Sequence, residues 1–134
     1  MPRDEGPQAG FTHGRPWLRL ADDAAKRSVA AQECDPTSML ALYRRLLDLR
    51  RRHAALHAGS WEPLGVQGDL LSYARAHQDE RVLVLLNFGA ATVRVPHGLA
   101  PAGATLLLST APQRSGILAP DAVLMPHEGV LLRT

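Results

Sequence analysis

The sequence predicts a mainly β protein: an antiparallel β-sandwich in the C-terminal half, preceded by a loop and one amphipathic helix. Three observations predict it. Short apolar segments parted by turn residues recur from Gly59 onward at roughly the 8- to 12-residue spacing of sandwiches and barrels. A single stretch of helical periodicity precedes them, between Asp35 and about Ala54. From Met1 to about Leu20 the apolar residues follow no period, and Gly6, Pro7, Gly10, Gly14 and Pro16 interrupt any regular element.

In chain order, "AGFTHGRPWLRL" (Ala9 to Leu20) has the glycines, proline and Phe/Trp pair of a loop that lies against something large. A shorter Ala-rich helix or an irregular turn covers Ala21 to Gln32. The next segment, "DPTSMLALYRRLLDLRRRHA", carries a helix start signal: Asp35 is placed to accept from the free amides of the first turn, and Pro36 suits the first helical position. Met39, Leu42, Tyr43, Leu46, Leu47 and Leu49 then recur at three- and four-residue spacing and give a broad apolar face. The stretch "HAGSWEPLG" reads as a joint, dividing residues 1–58 from an antiparallel β-domain over 59–134. Beyond it Leu71 and Tyr73 alternate with polar or small residues, and "HQDE" at His77 to Glu80 reads as a hairpin turn. "RVLVLLNF" is apolar and β-branched enough for a strand covered on both faces. "ATVRVP", "ATLLLST", "DAVLMP" and "GVLLRT" continue the series.

Composition excludes several classes. At 134 residues and 46% apolar content the chain can form one ordinary core, with about 70% of its unfolded surface removed from water. A formal charge of +2, with Lys26 the only lysine, argues only weakly for a polyanionic partner. The single cysteine, Cys34, can form no internal disulfide, and the polar start "MPRDEGPQAG" lacks the apolar core of a signal peptide, so a cytoplasmic protein is expected. The longest apolar run, Val82 to Phe88, is far shorter than the ~20 residues a membrane helix needs, and no membrane association is expected.

Four segments together carry a family resemblance: "AGFTHGRPWLRL", "DPTSMLALYRRLLDLRRRHAALHAGSW", "LSYARAHQDERVLVLLNF" and "LMPHEGVLLR". In this order and spacing the chain resembles the C-terminal portion of oligo-1,6-glucosidase-like α-glucosidases of the α-amylase superfamily, glycoside hydrolase family 13. Met1 stands at the methionine of the family's "RTPMQW" motif; Pro2 and Arg3 depart from it, whereas Asp4, Pro7, Ala9, Gly10, Phe11 and Thr12 agree with what usually follows. The resemblance implies that the opening loop borders an active-site mouth and that the helix is the last of a (β/α)8 barrel otherwise absent from this chain. It also implies that the β-domain packs on that barrel.

Retaining glycoside hydrolysis needs two carboxyl groups about 5–5.5 Å apart on a rigid frame, one with a raised pKa. Here the carboxylates are scattered: Asp22 and Asp23 on a turn, Asp35 as a helix cap, Asp48 among arginines, Asp79 and Glu80 at a hairpin tip. The family's three catalytic carboxylates map onto none of these positions, so no catalytic residue is expected and the chain alone is expected to be inactive. His53 and His57 are the only histidines at helical spacing and read as surface or interface residues; no metal and no cofactor is expected. Cys34, with no base near it in sequence, reads as inert. The basic cluster "RRLLDLRRRH" lacks interleaved aromatics, which argues against nucleic acid; Arg44, Arg45, Arg51 and Arg52 are expected in solvent and Arg50 beside a barrel carboxylate. The substrate-binding candidates are Trp17 and Trp61, whose rings could stack on an α-glucan, Tyr73 being expected in the core. The expected partner is a catalytic barrel, or a second copy of the chain, docked on the face of Met39, Leu42, Tyr43, Leu46 and Leu49.

Overall fold

The computed structural model describes residues 1–111 and 113–134. It divides into two compact units, Met1–Arg45 and Leu46–Thr134.

In the first unit, a short 3-10 turn at Pro7–Gly10 places three successive residues at positive φ: Gln8 at 57°, Ala9 at 54° and Gly10 at 69°. Gly10 suits its place on both counts: its φ favours glycine, and a Cβ there would meet the Asp4 carboxylate at 2.6 Å and the Arg3 Cβ at 3.0 Å. The Arg3 N–H donates to the Ala9 carbonyl, and the carbonyls of Pro2 and Arg3 accept from Val29 and Ala30, which ties the opening segment to helix α1 (Val29–Glu33). Ser28 caps α1 through its hydroxyl, which accepts from the Ala31 N–H at 3.2 Å.

The long helix, α2 (Met39–Arg52), runs from the first unit into the second. It begins later than the Asp-Pro signal predicts. Asp35 accepts from the Thr37 N–H and hydroxyl at 2.8 and 2.7 Å, closing its own turn, while the Ser38 hydroxyl accepts from the Ala41 N–H at 3.2 Å and caps the helix. Asp35 is therefore the residue of a preceding turn and Ser38 the true cap, because a short polar side chain satisfies its nearest free amide first. At its other end α2 gives way at His53, in an extended conformation, to the one-turn helix α3 (Ala54–His57).

Seven strands follow: β1 (Ser60–Gln67), β2 (Leu70–His77), β3 (Glu80–Asn87), β4 (Val93–Arg94), β5 (Thr105–Ser109), β6 (Val123–Leu124) and β7 (Gly129–Arg133). Five of them form one antiparallel sheet in the order β1-β2-β3-β7-β5, and β4 pairs with β6 in a second. The segment expected to be a joint holds most of a strand, β1, which sequence reading missed. Pro63 obscures it, and the edge position tolerates Pro63 with an irregular register between Pro63 and Gly65. Gly59, just ahead of β1, is needed for close approach: a Cβ there would run into the carbonyl oxygens of Ala55 and Ala76.

The expected hairpin turn is present, with Gln78 at φ 52° between β2 and β3. Strand β3 is central and serves two cores. Leu83 and Leu85 join Leu70, Val130 and Leu132 against Val95, Leu118 and Leu124 of the opposing layer. Val82 and Val84 face the other way and pack with Ala55 of α3, Tyr73 and Leu131. Each such fully buried side chain contributes about 1.5–3 kcal/mol. The chain is thus a mainly β, antiparallel sandwich behind a loop and a long helix, as the sequence predicts.

Two buried polar residues join the layers. Asn87 donates to the carbonyls of Ala91 and Met125, both at 2.8 Å, and accepts from the Gly89 N–H at 2.9 Å. Glu128 is buried and accepts from Ser109 at 2.7 Å, the Met125 N–H at 2.7 Å and both Nε and Nη2 of Arg114. Burial alone would raise the Glu128 carboxyl, but the Arg114, Met125 and Ser109 hydrogen bonds outweigh it and hold the group below the ordinary glutamate value of 4.5. A carboxyl held low in the folded state stabilises the fold above its unfolded value and loses that contribution as pH falls through its folded value. We expect Glu128→Ala to lower stability by about 3–5 kcal/mol at neutral pH, because it leaves Arg114 without its partner. Denaturant titration should also show the gap between variant and parent narrowing below pH 4.5; a variant as stable as the parent at pH 7 would contradict this assignment.

Candidate functional site

The residues with a claim to function fall on three features: the opening loop, helix α2 and the carboxylates. Trp17 is 92% exposed, in a surface depression lined also by Gln8, Arg15, Pro16 and Arg19. Trp61, on edge strand β1, is 59% exposed, and its ring lies 6.3 Å from that of Tyr73 in a tilted arrangement. Tyr73 packs against the second core, as its alternation with small residues predicts. Trp17 and Trp61 belong to different compact units.

Along α2 the apolar residues sort into two edges. Leu49 is buried and Leu42 and Leu46 are half-buried, whereas Met39, Tyr43 and Leu47 are 60%, 61% and 55% exposed. Helical geometry accounts for the split: at about 100° per residue, Met39, Tyr43 and Leu47 follow one another along one stripe, displaced toward solvent from the Leu42–Leu49 line. The face expected from sequence is thus half covered, and its open half includes Leu47. Of the cluster's arginines, Arg44 pairs with Glu33 at 2.6 Å, and Arg51 and Arg52 pair with Asp48 on α2 itself.

Each expected carboxylate has a local partner or an exposed position. Asp22 pairs with Arg19 and Asp23 with Arg27, in solvent. The Asp35 carboxyl is held low, first by the Thr37 hydroxyl and then by the Thr37 N–H. Glu80 departs from the hairpin-tip reading. Its carboxylate accepts from His53 Nδ1 at 2.5 Å and from the Ala55 N–H at 2.9 Å, and these bonds, that of Ala55 foremost, hold it below 4.5. His53 is correspondingly mostly covered rather than a free surface histidine. Sequence reasoning missed both this pair and the Glu128–Arg114 pair. The partners are 27 and 14 residues apart, and no local pattern joins residues at such separations. Cys34 is exposed. Among the described residues no cluster of three or more His, Cys, Asp or Glu gathers around a common point, and no helix is long and apolar enough to cross a membrane.

Two family models match this chain: the α-amylase catalytic domain over residues 1–59, and a domain of unknown function, DUF3459, over residues 56–125. The chain is 40% identical over 92 residues to a probable alpha-glucosidase of Rhizobium meliloti, covering 67% of this chain and 17% of the relative. It is 39% identical over 127 residues to the amino acid transporter heavy chain SLC3A2 of Oryctolagus cuniculus, covering 86% of this chain and 24% of that one. The crystal structure of trehalulose synthase MutB from Pseudomonas mesoacidophila superposes with a TM-score of 0.89 at 27% identity, over 98% of this chain and 24% of that one. The chain therefore spans a quarter or less of the length of these relatives.

The two tryptophans give a direct reading of the exposed surfaces. In Trp61→Phe, which leaves Trp17, acrylamide should quench the emission strongly and the spectrum should resemble that of free indole in water. In Trp17→Phe, quenching of the remaining Trp61 should be weaker and the emission bluer. Equal quenching in the two variants would contradict the placement of these side chains.

Proposed function

Because the chain belongs to the α-amylase family of glycoside hydrolases and carries its DUF3459 domain, we propose that it is the supporting C-terminal part of an α-glucosidase-like enzyme acting on α-linked glucosides. In this reading the hydrolytic carboxylates lie outside it. The observation that carries the reading is the stripe of Met39, Tyr43 and Leu47, left open within a segment similar to an α-amylase catalytic domain. A barrel helix needs such a face, since each large apolar side chain gains roughly 1.5–3 kcal/mol on full burial. The occupant of the stripe is the remainder of a catalytic barrel, with a second copy of the chain taking its place when no barrel is present. The carboxylates described here are engaged in turns, ion pairs and layer-joining contacts, which supports a structural role for this chain.

A second reading, that the chain is a stand-alone module binding α-glucan or a protein, is favoured by the exposed rings of Trp17 and Trp61. One of its relatives is by name a transporter heavy chain and another by name a glucosidase, so the fold by itself does not assign an activity.

The purified chain should hydrolyse an aryl α-glucoside no faster than a matched inactive control; turnover above that control would overturn the supporting-part reading. Leu47→Glu tests the stripe. Light scattering of the parent at high concentration should show self-association, and the variant should stay monomeric with unchanged melting temperature, because Leu47 is exposed in the single chain. Equal masses for parent and variant would remove the stripe as a docking face. Retention on a maltodextrin support, abolished by Trp17→Ala or Trp61→Ala, would favour the binding-module reading instead.

A further inference from the structure

The break between α2 and α3 has no cause in its own sequence. The residues around it, "RRRHAALHA", contain neither proline nor glycine, and Ala54, Ala55 and Leu56 are among the strongest helix formers. Yet His53 adopts φ −111° and ψ 110°, outside the helical region, and α3 starts afresh after it. The helical ladder reaches the break intact, with the His53 N–H donating to the Leu49 carbonyl at 2.9 Å, and resumes beyond it with Ala58 donating to Ala54 at 2.9 Å.

What occupies the break comes from another element. Glu80, the first residue of β3, places one carboxylate oxygen on His53 Nδ1 and the other on the Ala55 N–H. The ionised carboxylate only accepts, so His53 presents Nδ1 as an N–H donor. No side chain of α3's own N-terminal residue caps it, and Glu80 does that work from across the fold. We propose that Glu80 is a pH-sensitive latch: its ionised carboxylate holds the α2–α3 break open, and protonating or removing that carboxylate lets α2 and α3 join into one continuous helix.

The chemistry gives the latch its direction. The two bonds, that from Ala55 foremost, hold the Glu80 carboxyl below 4.5, so the latch is closed at neutral pH and opens as pH falls through the group's depressed folded value. The other titratable and charged groups around it share an open cavity of about 650 Å³: His77 from β2, Asp79 from the turn and Arg133 from β7. Among the described residues Glu80's side-chain hydrogen-bond partner is His53, while the neighbouring Arg81 is engaged with Glu62 at 3.3 Å.

Backbone NMR shifts of His53 through His57 test this directly. In Glu80→Ala at pH 7, the His53 Cα shift should move from the extended to the helical side, and residues 54–57 should remain helical. The parent should show the same change as pH is lowered from 7 into the acid range below 4.5, followed until the Glu80 carboxyl is protonated. Because Glu128 also loses its stabilising charge in acid, Leu83 in the core serves as the reference. Latch opening moves the His53 signals at a pH where those of Leu83 are unchanged. An extended His53 in both the variant and the acid parent would overturn the proposal. So would a coil-like shift at residues 54–57, or simultaneous movement of His53 and Leu83. If Glu80→Ala precipitates, the titration of the parent decides the question alone.

Discussion

The second unit depends on strand β3 having two insides. A strand in the middle of a sheet with a layer on each side must present apolar side chains at every position, since alternation sends successive residues to opposite faces. Leu83 and Leu85 complete one core, and Val82 and Val84 the other. Its two flanks fix the rest: β2 reaches it through a turn too short to slip, and β7 pairs with it from Val82 to Leu86. A one-residue shift of β3 would exchange the leucine and valine faces and misfit both layers at once.

Polar groups then decide how the layers are joined. Asn87 ends β3 by binding two carbonyls from separate loops, and Glu128 gathers Ser109, Arg114 and Met125 around one carboxylate. Buried groups of this kind are costly unless every partner is present, so they tolerate one arrangement of the loops and reject the others. Glu80 works in the same manner at the helix break. Glu80 and Glu128 thus act as fasteners, one for backbone and histidine, the other for backbone, serine and arginine.

How much of this is legible in the sequence depends on the range of the interaction concerned. The period of α2, the double-faced character of "RVLVLLNF" and the turn at Gln78 are written in neighbouring residues and read correctly, and four ordered segments point to the family. The start of α2 is not legible in the sequence, because Asp35 and Ser38 both have capping chemistry and only the fold shows which one faces the helix. Strand β1 was hidden by Pro63, which rules out an interior strand but not an edge. Glu80 and Glu128 look like ordinary charged residues because their partners lie far away in the chain. Of the candidate surfaces, the α2 stripe was visible as a period, but its division into covered and open edges was not.

The irregular outer edge of β1 also bears on how the protein misassembles. Trp61, Leu64 and Val66 give that edge enough apolar, β-prone character to attract another strand. Pro63 withholds an amide from any incoming chain, and Gly65, at φ 126°, bends the backbone out of register two residues later. An edge interrupted in this way is a poor template for cross-β growth. Deposits that start at this edge of the folded chain should accordingly be amorphous and detergent-soluble rather than fibrillar, with little affinity for amyloid dyes.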